Sequence, residues 1–227
     1  MCTVTFVPLG DTNFVLTSNR DVSWKRAPAS PPQIHTEHGV DLLYPRDEEA
    51  GGTWIGSSYD SRLLCLLNGG FENHVRKLPY GMSRGLIVTE LLAAPELSNA
   101  LEVIDLEDIE PFTLVTVEWM DELKLGEFVW DGKQKHRKML PIAPGIWSSS
   151  TLFDPVMREL RRHWFEKWKK RGDFSPHSIL EFHKTAGKGD DEVGVVLKRK
   201  NVGTVSITQF VREETGKFRY EKDMASF

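Results

Sequence analysis

Cys2-Thr3-Val4-Thr5-Phe6-Val7, then Leu9-Gly10-Asp11-Thr12-Asn13, then Phe14-Val15-Leu16-Thr17-Ser18-Asn19-Arg20-Asp21 decide how this chain is read. The first segment alternates and is β-branched, which predicts a strand. Leu9 to Asn13 has turn chemistry. Phe14 to Ser18 predicts the returning strand, and the hairpin brings Asn19-Arg20-Asp21 back toward Cys2. Position two matters chemically. Removal of Met1 makes Cys2 the first residue and sets its thiol beside a free α-amine. That amine titrates at roughly 7.7–8.0, so part of it is neutral and can take the thiol proton. The thiolate is the form that attacks.

Working outward, Ala27 to Pro32 is Pro-rich loop, and the polar stretch from there to Ala50 carries no strand pattern. Gly51-Gly52-Thr53-Trp54-Ile55-Gly56 frames a strand start. Arg62 to Leu67 is a continuous apolar run, expected of a strand buried on both faces and closed by Asn68-Gly69-Gly70. Ser83 caps a predicted helix to about Ala94, and Ser98 caps a second to about Leu106. Phe112–Trp119, Leu123–Trp130 and Arg137–Leu140 predict strands, with a hairpin turn at Asp131-Gly132. Asp154-Pro155 opens a third helix with a stripe of Met157, Leu160, Trp164 and Trp168, and Ser175-Pro176 opens a fourth to about His183. Val193–Lys198, Thr204–Arg212 and Lys217–Glu221 are further predicted strands. Strands bracket a helical middle without βαβ alternation. The expectation is α+β, with antiparallel sheets and helices packed outside them.

Length and composition fit one domain spanning residues 1–227. Hydrophobic residues make up 40%, with seven Trp and twelve Phe, enough for a core, and the net charge is −4. That charge argues against a dedicated nucleic-acid partner. The two cysteines, Cys2 and Cys65, form no metal-type pair and no disulfide framework. No signal peptide and no 18-residue apolar run are seen, so the sequence predicts a cytoplasmic protein without membrane insertion.

Cys2, Asn19, Arg20, Asp21 and Asn68 are the candidate constellation. Amide cleavage by an N-terminal thiolate needs a carboxylate to hold the α-amine, which Asp21 can supply. It needs a cation that favours the thiolate, which Arg20 or another Arg can supply. A donor to the developing oxyanion contributes roughly 3 kcal/mol, and the Asn68 amide fits that role. The competing readings are a hairpin-end ion-pair network for Asn19-Arg20-Asp21 and a plain turn residue for Asn68. The Gly51–Gly56 block lacks the Gly-Lys-Ser/Thr ending of a phosphate loop. Close backbone approach near a site, or a tight turn with Trp54 in the core, both fit it. His35 and His38 sit in Pro-flanked sequence and read as solvated loop, not a metal site. The run Arg158, Arg161, Arg162, Lys167, Lys169, Lys170 and Arg171 reads as the solvated basic face of a packed helix, with membrane or nucleic-acid contact as the alternative.

At Met1-Cys2, Asn19-Arg20-Asp21, Gly51–Gly56, Asn68, Ser83-Arg84-Gly85 and Ser148 to Pro155 the chain resembles the NRDE family, also called the transport-and-Golgi-organisation-2 family. That family is itself similar to the cysteine N-terminal-nucleophile hydrolases, which include penicillin and bile-salt acylases. The resemblance implies a four-layer αββα sandwich, Cys2 as nucleophile with Arg20 and Asp21 beside it, Asn68 near the oxyanion, and Asn19 and Trp54 in binding roles. It implies a small amide or acyl substrate and no cofactor. The alternative it carries is a non-catalytic module that binds or traffics haem or an acylated lipid. The chain departs from the pattern at Val22, where Glu is usual, at Ser149, where Asn is expected, and at Val205, where Arg is expected.

Overall fold

The computed structural model describes residues 3–58, 61–76, 79–213 and 215–222. In chain order the elements are β1 (Thr3–Gly10), β2 (Asn13–Ser23), β3 (Gln33–Glu37), β4 (Val40–Tyr44), β5 (Ile55–Ser58), β6 (Arg62–Asn68), α1 (Arg84–Ala93), α2 (Leu97–Val103), β7 (Phe112–Glu118), β8 (Lys124–Trp130), β9 (Lys135–Leu140), β10 (Gly145–Ser148), α3 (Pro155–Lys169), α4 (Pro176–Thr185), β11 (Val202–Arg212) and β12 (Gly216–Lys222). This is the expected α+β class. Every strand pair is antiparallel. The chain divides into two compact units, residues 1–26 with 142–227, and residues 27–141.

The first unit is a five-stranded sheet in the order β10-β1-β2-β11-β12. Side chains alternate along a strand. Val7 of β1 and Val15 of β2 pack with Phe165 and Trp168 of α3 and with Ile179 and Phe182 of α4. Odd-numbered positions of these two strands therefore face the helices. Asp154 caps α3 by accepting from the Met157 amide, and Ser175 caps α4 by accepting from Ser178. Both helices carry proline in the first turn, where its missing donor costs nothing.

The second unit is a seven-stranded meander, β3 through β9 in sequence order. Its helices lie on one face. Ile87, Val88, Leu91 and Leu92 of α1 and Leu97 and Leu101 of α2 pack with Leu42, Leu64, Leu66, Leu114 and Phe128. Arg62, buried at the start of β6, closes α1: its guanidinium donates to the carbonyls of Leu91, Ala94 and Pro95 at 3.2, 2.8 and 3.1 Å. Two of the helix-end carbonyls that lack intrahelical donors, and that of Pro95 just beyond the cap, are satisfied this way.

Four local readings need correction. The stretch after Pro32 contains the β3–β4 hairpin, so His35 is a strand residue stacked on Tyr44 and His38 sits in the turn at φ 51°. The polar composition hides a two-residue hairpin whose second turn residue is Gly39, at φ 79°. The helix α2 starts one residue before Ser98, because the Glu96 carboxylate caps it through the Ser98 and Asn99 amides. Val193–Lys198 is not a strand, and its one ladder contact is a bridge from Lys198 to Gly203. The carbonyls of Val193, Gly194 and Val195 accept from side chains instead. The buried stripe of α3 is Arg161, Phe165 and Trp168, while Leu160 is exposed.

Candidate active site

The β1–β2 register sets Thr3 opposite Asn19, and on the far side of β2 the β11 register sets Asp21 opposite Thr204 and Arg20 opposite Ser206. Cys2 itself lies outside the described residues. Thr3 occupies the second strand of its sheet, flanked by Ser148 of β10 and Asn19 of β2. The β2 strand is longer than predicted, so Asn19-Arg20-Asp21 belongs to the ladder and does not follow its end. Arg20 and Asp21 extend past the Thr3 end of β1. Alternation sends Asn19 and Asp21 to the helix-facing side and Arg20 to the other. All three are buried. The Thr204 hydroxyl donates to one Asp21 carboxylate oxygen at 2.5 Å.

Asn19 is the hub of a polar cluster beneath the helices. Its amide nitrogen donates to the Val195 carbonyl at 2.9 Å and toward the His183 carbonyl at 3.4 Å. Its Oδ1 is left to accept from His183 Nδ1. The imidazole therefore carries its proton on Nδ1, and Nε2 accepts from the Thr5 hydroxyl at 2.7 Å. Beside it, Arg161 is fully buried. Its guanidinium donates to the Thr3 hydroxyl, to the Gly194 carbonyl and, at 2.9 Å, to the Val193 carbonyl. It lies 3.5 Å over the Phe153 ring. The first residues of β1 are thus held from behind by α3 and α4, through Arg161 on Thr3 and His183 on Thr5.

Burial, and then the Arg161 charge, push His183 down to about 3. The folded protein keeps this ring neutral, whereas in the unfolded chain it titrates near 6.5. Below about pH 6.5 the unfolded state binds a proton that the folded state refuses, so stability falls with pH until about 3. The slope for one proton is about 1.4 kcal/mol per pH unit. Urea melts from neutral pH to about pH 5 are expected to show a loss of about 2 kcal/mol from this residue. His183→Gln removes that component of the slope, although it is less stable at neutral pH. An identical acid slope in parent and variant would refute the assignment.

Asn68 and Trp54 belong to the second unit. Asn68 is the last residue of β6, opposite Phe112 and followed by Gly69 at φ 85°. Trp54 is a core residue whose carbonyl accepts from Leu66. The glycine block serves close packing. A Cβ on Gly52 would lie 2.2 Å from the Gly85 carbonyl carbon, so Gly51–Gly56 and Ser83-Arg84-Gly85 meet backbone to backbone. The Thr53 amide donates to the Gly85 carbonyl at 3.1 Å there. Of the departures, Ser149 is buried with its hydroxyl 2.9 Å from that of Thr151, and Val205 occupies a register shift in β11. Among the described residues, no three His, Cys, Asp or Glu side chains converge on a metal position.

Sequence reasoning passes over Arg161 and His183. It groups Arg161 with the basic face of α3, yet Arg161 lies one turn before Phe165, on the same arc as Trp168, and that spacing is the available signal. His183 has no sequence signature, because its partners lie 164 and 178 residues away.

The family model described as transport and Golgi organisation 2 matches residues 1–181. The chain belongs to that family. No curated protein matches the sequence. Among solved structures, the Caenorhabditis elegans ortholog of N-acylethanolamine-hydrolyzing acid amidase is similar, with a TM-score of 0.64 at 13% identity over 92% of each chain. A variant of conjugated bile acid hydrolase from Clostridium perfringens gives a TM-score of 0.51 at 10% identity, covering 100% of this chain and 93% of its own. At such identities the likeness concerns the fold alone. This family member has the N-terminal-nucleophile hydrolase fold, and no helix among its described residues is long and apolar enough to cross a membrane.

Proposed function

We propose that this protein is a cysteine N-terminal-nucleophile hydrolase acting on a small amide or acyl substrate. The reading is supported above all by the register of β1 and β2, which carries Asn19-Arg20-Asp21 alongside and past Thr3, the residue that follows Cys2. The Cys2 thiolate, formed by proton transfer to its own α-amine, attacks the amide carbonyl carbon. The C–N bond then breaks, the amine leaves with a proton, and an acyl thioester remains on Cys2. Water releases the acid and regenerates the thiol. Asp21 holds the α-ammonium form, and Arg20 supplies positive charge that favours the thiolate. Asn19 acts from behind, where its bonds to Val195 and His183 hold β2.

The test is intact-mass spectrometry of untagged protein, alone and mixed with a panel of fatty-acyl, bile-acyl and phenylacetyl amides. The expected result is loss of Met1 and a transient acyl adduct on Cys2 that Cys2→Ala abolishes without changing the melting curve. Retention of Met1, or an amide turned over equally by Cys2→Ala, overturns the proposal.

A further inference from the structure

The outward face of α3 takes no part in the cluster beneath it, and it is sorted by charge. Between Asp154 and Arg171, buried Arg161 aside, six Arg and Lys residues stand against three Asp and Glu, in a chain whose net charge is −4. The acids are spent locally. Asp154 caps the helix, while Glu159 pairs with Arg162 at 2.5 Å and Glu166 with Lys169 at 2.9 Å along one flank. The other flank meets a carboxylate only at its N-terminal edge, where Glu159, one turn before His163, is paired with Arg162. There Val156, Leu160 and Trp164 form one row at four-residue spacing, and His163, Lys167 and Arg171 form the row beside it. Val156 is 78% exposed and Leu160 38%. Lys167, Lys170 and Arg171 have no carboxylate partner among the described residues.

The same flank opens into a cleft of about 460 Å³ between α3 and α4, lined by Trp164, Lys167, Trp168, Arg171 and His177. The carboxylate lining it, Glu181, is paired with Lys184 at 3.5 Å. Phe174, 37% exposed, lies in the connection that follows and packs edge-on against Trp168. Asp173 in that connection is exposed and accepts from the Ser175 amide at 3.0 Å.

We infer that this flank of α3, with the cleft mouth, docks on an anionic phospholipid surface. Cations at headgroup level gain from the negative surface potential, and aliphatic side chains with a half-buried indole gain from shallow insertion. A nucleic-acid backbone would use the cations but offers nothing to Val156 and Leu160, which is why a bilayer is the better partner. The contact is peripheral, and it stands independently of the chemistry proposed for Cys2.

Co-sedimentation with phosphatidylcholine vesicles, with and without phosphatidylserine, tests it. The parent protein is expected to partition onto the phosphatidylserine vesicles, to be released by salt, and to blue-shift its tryptophan emission. Each cation removed is expected to weaken partitioning about fivefold, so K167Q/K170Q/R171Q together weaken it on the order of 100-fold. Leu160→Ser weakens it further at constant charge. These positions are exposed, and unchanged melting confirms the variants are folded. Failure of the parent to bind phosphatidylserine vesicles overturns the inference. So does binding that the triple variant retains, or a triple variant that loses only binding to duplex DNA.

Discussion

Replacing Arg161 by methionine is expected to cost about 3–4 kcal/mol of stability and to lower the melting temperature by about 10 °C. The side chain of the variant is similar in length and fills the space. What it leaves is a set of buried acceptors without donors: the Thr3 hydroxyl and the Val193 and Gly194 carbonyls. Each orphaned group costs about 1–3 kcal/mol. Not having to bury a guanidinium offsets part of this, so the net falls below the sum. The 3.5 Å stack on Phe153 is also lost. Arg161→Lys keeps the charge but cannot reach three acceptors at once, and it is expected to recover less than half of the loss.

The location of the damage distinguishes a clamp on β1 from a general core defect. Hydrogen exchange should quicken at Thr3 to Thr5 and in the Val193–Val195 segment, while β7 and β8 of the other unit keep their protection. The alkylation rate of Cys2 with iodoacetamide should change in Arg161→Met and keep its parent value in a surface control such as Arg162→Met. A variant that melts within about 1 °C of the parent would remove Arg161 from any positioning role.

How far sequence reaches in this protein follows from the range of the interactions. The β1–β2 hairpin, the β6 strand, α1 behind Ser83 and the Pro-opened α3 and α4 are all marked by composition, turn or cap residues local in the sequence, and all are legible. The β3–β4 hairpin escapes because His35, Thr36, Glu37, His38 and Asp41 present polar side chains that mimic loop. Val193–Lys198 has strand composition, but beyond the Lys198–Gly203 bridge it joins no ladder. The Asn19 amide, Arg161 and the Thr204 hydroxyl take its backbone groups instead. Within the candidate site, the type of residue is readable and its direction is not. Asn19 and Arg20 are neighbours in sequence, yet their side chains leave opposite faces of β2, and what Asn19 touches comes from residues 183 and 195.

The glycine block gives the second large effect. Gly52→Ala is expected to cost more than about 4 kcal/mol and to leave residues 27–141 largely unfolded in the absence of stabilising cosolvent. The new methyl carbon would sit 2.2 Å from the Gly85 carbonyl carbon and 2.5 Å from both its oxygen and the Leu86 nitrogen. All three are backbone atoms at the first turn of α1, so no rotamer change can relieve the overlap. The helix must back away, which breaks the bond from the Thr53 amide to the Gly85 carbonyl and lifts Ile87, Val88, Leu91 and Leu92 off the sheet. It also strains the start of α1, where Arg84 is held by Glu110 at 3.0 Å and by the Pro111 carbonyl at 3.0 Å. The reciprocal change is far milder. A Cβ on Gly85 meets Thr53 backbone atoms at 3.0 Å, a distance that a shift of a few tenths of an ångström relieves. Gly85→Ala is therefore expected to cost about 1–3 kcal/mol. Denaturant melts of the pair decide the matter: equal losses, or a folded Gly52→Ala with parental stability, would mean that the Gly51–Gly56 block has some role other than admitting α1.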